Sequence, residues 1–143
     1  MQLTHYTDYS LRVLIFLSLQ KNGTRTTITD ISEQFNISRN HLVKVVHKLG
    51  KLNYIKTTRG KHGGLFLNQQ TNHIRLGDVI SKVENTLNII DCEAPSPCPI
   101  AIKCKLKSIL QTATDQFIES LNQYTIADLQ EEPDQLRVLL KIT

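Results

Sequence analysis

Cys92, Cys98 and Cys104 are the only cysteines in 143 residues, and they repeat as C-x5-C-x5-C across 13 of them. Thiolates are soft ligands, so this spacing admits three chemistries: an iron–sulfur cluster, a zinc ion, or thiols that are simply buried or redox-active. Zinc sites favour tighter knuckles. The wide spacers here, stiffened by Pro95, Pro97 and Pro99, suit wrapping a larger polynuclear cluster. A disulfide would leave one thiol over and is disfavoured in a reducing compartment. With a cluster, three thiolates leave one iron without a cysteine, and its ligand must be oxygen, nitrogen, a small molecule or a group from a partner chain. Lys105 to Lys107 supply no histidine or carboxylate directly after Cys104. Iron with a weak non-thiolate ligand is an exchangeable corner for a diatomic gas or oxidant, which suits a sensor better than an electron carrier.

A second set of residues has the chemistry of nucleic-acid recognition. Leu42, Val45, Val46 and Leu49 recur at helical spacing after Ser38, a good N-cap residue. With those four turned inward at about 100° per residue, Asn40, His41, Lys44, His47 and Lys48 face outward, with Ser38 and Arg39 at the helix start. Amide and imidazole groups can read base edges, while cations and helix N-terminal amides grip phosphates. Farther on, Arg59-Gly60-Lys61-His62-Gly63-Gly64 is a cationic, glycine-rich turn without an acid, suited to a minor groove or the DNA backbone.

These side chains need a scaffold, and the pattern predicts one. Leu11, Leu14, Ile15 and Leu19 indicate a first helix from about Asp8 to Lys21, ended by Asn22-Gly23. Thr29 is placed to cap a short helix with Ile31 and Phe35 inward and Asn36 at its close. A turn of two to three residues then leads into the helix from Ser38 to Leu49, which makes a helix-turn-helix. Strand-like Tyr54–Thr58 and Leu65–Leu67 flank the glycine turn as a hairpin, the wing of a winged helix. Leu76, Val79, Ile80 and Val83 predict a further short helix. From about Ile100 a long helix carries Leu106, Ile109, Leu110, Ala113, Phe117, Leu121 and Tyr124 on one stripe. Such a stripe is a seam for another helix, read here as a dimerisation helix at about 100–124; packing on its own domain is the alternative. The expected fold is mainly α with a small β-hairpin. Residues 1–78 form a winged helix-turn-helix, and residues 79–143 hold the cysteine loop (91–104), the dimerisation helix and a C-terminal tail.

Charge divides along the same line. Residues 1–78 carry eleven Lys or Arg against four acids, a net of +7, whereas residues 79–143 carry six against nine, a net of −3. The basic half therefore suits a polyanion and the acidic half another task. Ordinary apolar content (40%) and modest charge (21%) argue against disorder. No apolar run approaches the roughly 18 residues a membrane span needs. No export signal is visible, so the cytoplasm is the expected compartment. No nucleotide fingerprint or acid/base pair points to an enzyme.

The opening Met1-Gln2-Leu3-Thr4, with Thr7-Asp8-Tyr9-Ser10-Leu11-Arg12, the run Ser38-Arg39-Asn40-His41-Leu42-Val43-Lys44, the wing and the three-cysteine loop resemble the iron–sulfur winged-helix regulators, specifically their nitric-oxide-sensing branch. The similarity covers about residues 1–130. The resemblance implies a homodimeric repressor that binds operator DNA with an intact cluster, 4Fe-4S or alternatively 2Fe-2S, and releases it on reaction with nitric oxide. It implies Cys92, Cys98 and Cys104 as cluster thiolates, and Asp8 from the partner subunit as the fourth ligand rather than a plain helix N-cap. It assigns DNA contacts to Ser38, Arg39, Asn40, His41, Lys44 and Lys48, and to Arg59, Gly60, Lys61 and His62 of the wing. The branch that regulates cluster biogenesis or iron and redox status is the alternative. There a histidine follows the last cysteine by three residues, and here that position is Lys107. The x5-x5 spacing occurs in both branches.

Overall fold

In the computed structural model, which describes residues 2–143 and so leaves Met1 of the opening motif outside, the first helix begins three residues before the start expected from its apolar spacing. Helix α1 spans His5–Ser18, and Thr4 caps it by accepting from the Thr7 backbone N–H. Asp8 therefore lies one turn inside the helix and is not its cap. The far end also differs. Instead of running to Lys21, α1 stops at Ser18, because the carbonyls of Ser18 and Leu19 accept from the side chains of Gln130 (3.0 Å) and Arg137 (2.9 Å). Partners more than 100 residues away thus satisfy C-terminal carbonyls that a longer helix would otherwise have bonded internally.

Helix α2 (Ile28–Phe35) starts on Thr27 rather than Thr29. Thr27 and Asp30 form a reciprocal capping box, each side chain bonding the other's backbone N–H, and Asn36 closes the helix in the left-handed region at φ 52°. The three-residue connection 36–38 leads into α3 (Arg39–Lys51). As its periodicity predicts, Leu42, Val45, Val46 and Leu49 are buried. Each such burial contributes about 1.5–3 kcal/mol. Strands β1 (Ile55–Thr58) and β2 (Gly64–Leu67) pair antiparallel with Ile55 opposite Leu67, completing the winged helix.

Helix α4 (Leu76–Val83) buries Val79, Ile80 and Val83. The long helix, α5 (Lys105–Leu121), begins later than Ile100 because residues 101–103 make a single 3-10 turn and Cys104 becomes its N-cap. Its apolar stripe divides. Leu121 packs against the core, whereas Leu106 and Ile109 near the start are 57% and 53% exposed. Tyr124, expected on the stripe, lies beyond the helix end. Residues 125–142, expected only as a tail, include α6 (Pro133–Leu139) and fold back. Ile126 is fully buried and its N–H bonds Ile74 (2.9 Å), while Leu129, Leu140 and Ile142 pack against the same core as α1, α3 and α4.

Two contacts hold α4 in place. Tyr54, 2% exposed, donates to Asp78 (2.6 Å), which also takes Lys82 (2.9 Å). Burial, then the bond to Asp78 and its charge, push the Tyr54 phenol well above its ordinary range. For Asp78, desolvation raises the pKa, but the bonds from Tyr54 and Lys82 and the Lys82 charge outweigh it, leaving the carboxyl below its ordinary range. A lowered folded pKa gives stability that is present above the unfolded value and lost as pH falls through the folded one. Wild-type stability should therefore decline below about pH 4 more steeply than that of Asp78→Asn, measured by urea unfolding across pH. The second contact is backbone-close: a Cβ at Gly77 would lie 2.5 Å from the Ile118 carbonyl and from Asn122 Oδ1 on the α5 side. Gly77→Ala should lose about 1–3 kcal/mol of unfolding free energy by overpacking.

Candidate functional site

Helix α3 presents its polar face to solvent because its four apolar residues are spent on the core. Ser38, Arg39, Asn40, His41 and Lys44 are exposed and Lys48 is half-exposed. Ser38 is the N-cap residue but makes no side-chain cap bond, and no acid lies in the first turn. The start of α3 is thus electropositive from its amides, its dipole and Arg39. Val43, which the sequence pattern did not single out, also stands 49% exposed on this helix.

At the wing, Arg59, Gly60, Lys61 and His62 are all exposed. Gly60 takes φ +96°, a conformation that favours glycine, and its carbonyl accepts from Gly63 (2.9 Å) to close the turn. Arg39 of α3 and Arg59 of the wing line one groove, so the helix and hairpin read separately from sequence form one surface. Arg25, from the segment before α2, lines it too. Nothing in the spacing links Arg25 to α3 or the wing; its place comes from a backbone bridge between Thr26 and Leu65 of β2.

The cysteine segment begins beside the first half of α5, where Cys92 lines a groove with Lys107, Leu110 and Gln111. Cys92 and Cys104 are half-buried, Cys98 is exposed, and all three are free thiols. The Cys98 N–H bonds the Cys92 carbonyl (2.8 Å), and Asp91 Oδ1 accepts from the N–H groups of Glu93 and Ala94 (2.9 and 3.1 Å), folding the loop back on itself. Cys104 Sγ accepts the Lys107 N–H at 3.4 Å at the start of α5. Among the described residues no three His, Cys, Asp or Glu side chains are gathered at metal-binding range. Asp8 is held by Arg12 of the same chain, Nε to Oδ1 and Nη2 to Oδ2 both at 3.0 Å, with both side chains a little over 40% exposed. An exposed pair of this kind contributes only about 0–1 kcal/mol, so the carboxylate is readily exchanged to a stronger partner.

The first turns of α1 touch both α3 and the end of α4. Glu84, where the chain leaves α4 for the cysteine segment, accepts at Oε2 from the Thr4 N–H (3.1 Å), the Thr4 hydroxyl (3.2 Å) and the fully buried Thr7 hydroxyl (2.5 Å). On the opposite side the Tyr6 hydroxyl donates to the Lys44 carbonyl (3.0 Å), and the Tyr9 ring lies 6.1 Å from that of His41. Burial raises the Tyr6 pKa, which keeps the phenol a donor. Neither Glu84 nor Tyr6 carried a sequence signal, because the Glu84 contacts span 77 and 80 residues and the Tyr6 contact 38.

Residues 3–132 match the Rrf2 family, described as an iron-dependent transcriptional regulator. The chain belongs to the Rrf2 family. Among its Rrf2 relatives, the protein named HTH-type transcriptional regulator NsrR in Bacillus subtilis is 41% identical over 144 residues, 99% of each chain. The protein of that name in Geobacillus kaustophilus is 43% identical over 143 residues, 99% of this chain and 97% of its own. In fold, the Rrf2 chain is similar to IscR of T. potens (TM-score 0.74, 20% identity, 96% of this chain and 91% of that one). It is also similar to CymR, the global cysteine regulator of B. subtilis (TM-score 0.68, 24% identity, 90% and 95%). The chain is a transcriptional regulator and not an enzyme.

Glu84→Ala should lower unfolding free energy by about 1–3 kcal/mol, because it strands the buried Thr7 hydroxyl. Glu84→Gln, which keeps a neutral acceptor, should lose less; urea denaturation of both variants checks this.

Proposed function

We propose that this chain is a homodimeric transcriptional repressor that binds operator DNA through α3 and the wing and senses nitric oxide through an iron–sulfur cluster, most simply 4Fe-4S. The observation that carries the reading is the double engagement of α1, whose first turns bond Glu84, at the end of α4 from which the chain runs on to the cysteine loop, and contact the reader helix through Tyr6 and Tyr9. The NsrR-named relatives, at about 40% identity over nearly the whole chain, support nitric oxide as the signal.

The donor set fits such a cluster. Three free thiols within 13 residues are soft ligands, and Cys104 stands at the start of α5. Cys92, Cys98 and Cys104 would hold the cluster, with Asp8 of a second copy completing the ligand set. The bound cluster supplies reactive iron, the chemistry on which nitric oxide acts. Lys107, where the cluster-biogenesis branch has a histidine, carries an ammonium that does not ligate iron, which favours the nitric-oxide reading over that alternative. The exposed Leu106 and Ile109 of α5 supply an apolar face for a second copy.

The chain's own residues supply the coupling. Asp8 alternates between Arg12 of its own helix and the partner's cysteine loop. When engaged across the dimer it ties α1 of one subunit to the loop of the other, and α1 carries α3 with it. Two reader helices bind successive half-sites only at one separation, so losing that tie weakens operator binding. A change of about 1.4 kcal/mol alters affinity tenfold.

Protein purified anaerobically should be coloured, contain iron and acid-labile sulfide, and lose operator affinity at least about tenfold with stoichiometric nitric oxide. Cys98→Ser should be iron-poor and unresponsive. Colourless, zinc-containing protein from iron-replete anaerobic cells, or unchanged affinity after nitric oxide, would refute the reading; loss of binding on iron depletion alone, without a nitric-oxide response, would favour the iron-status alternative.

A further inference from the structure

We propose that Arg25, Arg39 and Arg59 form a clamp for a backbone phosphate of duplex DNA, in the groove between the reader helix and the wing; this rests on the DNA-binding reading above and adds Arg25 to it. The three side chains reach the groove from three separate elements: the segment before α2, the start of α3 and the wing turn. No Asp or Glu lines the groove, and Thr57 and Thr58 are the hydroxyl-bearing residues on its wing side.

Arg25 is fixed at its backbone and open at its tip. Thr26 beside it is 2% exposed, and its carbonyl accepts the Leu65 N–H at 2.7 Å, so a single bridge pins the segment to β2. The stem of Arg25 passes close to Gly64, where a Cβ would come within 3.0 Å of Arg25 Cγ. Any larger residue at 64 would push the arginine aside. Arg25 also borders a neighbouring groove that carries Asp30 and Glu33, yet it forms no ion pair with either. Asp30 is instead committed to the Thr27 cap. Among the described residues the three ion pairs involve Arg12, Lys82 and Arg137, so none neutralises the clamp.

Three guanidiniums sharing a groove with no internal counter-ion repel one another, and an anion placed among them relieves that repulsion. Guanidinium forks match phosphate oxygens bidentately, and the acid-free N-terminus of α3 adds aligned amides on the same side. The occupant is a DNA phosphate rather than a free anion because the groove runs between the two surfaces proposed to enter the duplex. A strand passing from the major groove read by α3 to the minor groove approached by the wing must carry its backbone across this position.

The test uses anaerobically purified protein and a duplex selected by the wild type from a random-sequence pool, with a scrambled duplex as control. Fluorescence anisotropy over a range of salt concentrations gives affinity and its salt slope. Arg25→Ala should reduce the slope of log K against log salt by about 0.9, and weaken both duplexes by a similar factor of about three to ten. Arg25→Lys should keep the slope and recover part of the affinity, since charge remains but the fork is lost. Asn40→Ala, by contrast, should narrow the preference for the selected duplex. An Arg25→Ala protein with wild-type thermal stability, unchanged slope and unchanged affinity overturns the clamp, as does a loss confined to the selected duplex. Failure of the wild type to prefer any duplex would instead undo the DNA-binding reading itself.

Discussion

Helix α1 is buried on more of its circumference than a surface helix would be. Val13, Leu14, Phe16 and Leu17 are at most 6% exposed, Thr7 and Ser10 are fully buried, and Tyr6, Tyr9 and Leu11 pack partly against the core. It lies against α3, α4 and β2 together. A helix so enclosed cannot shift without disturbing each neighbour, since protein interiors are close-packed and transmit displacement rather than absorb it. Helix α3 packs against it, the end of α4 bonds its first turn through Glu84, and Gln130 and Arg137 bond its last carbonyls.

That central position gives the end of α4, which leads to the cysteine segment, and the exposed polar face of α3 a common neighbour in one small domain. The bonds at the N-terminal end of α1 are polar and specific, involving Thr4, Thr7, Glu84 and Tyr6, whereas its middle is held by apolar packing. Apolar packing sets the helix axis, and the polar bonds set the placement of its first turns. Asp8 sits between these regions, with its carboxylate held only by an exposed pair to Arg12. A carboxylate carried on a rigid helix but weakly held by its own neighbours is free to exchange partners without unfolding anything.

The two ends of α5 have different environments. Its later half approaches α4 so closely that position 77 must be glycine, while Leu106 and Ile109 at its start remain in solvent. One helix is thus anchored to its own domain and offers an apolar face beyond it. The exposed Ile100 and Ile102 (65% and 96%) extend that face into the cysteine segment. A second copy bound there would cover the helix and the loop together, which places the sensing residues beside the dimer seam in the proposed assembly.

Local patterns sufficed for much of this protein. The spacing of Leu42, Val45, Val46 and Leu49 decided which side of α3 faces outward, because burying four apolar residues on one stripe outweighs any other orientation. The glycine turn between two strand-like runs decided the wing, and the cysteine spacing marked the loop with metal-binding chemistry. Helix ends were less legible. Thr4 and Thr27 became N-caps where the expected starts, Asp8 and Thr29, have the same capping chemistry. Only the tertiary structure decided that Gln130 and Arg137 end α1, that Glu84 holds its start, and that Arg25 joins Arg39 and Arg59. Those contacts join residues far apart in the chain through single hydrogen bonds or one backbone bridge. They leave no periodicity in sequence, and they come into being only once the apolar core has brought their partners into reach.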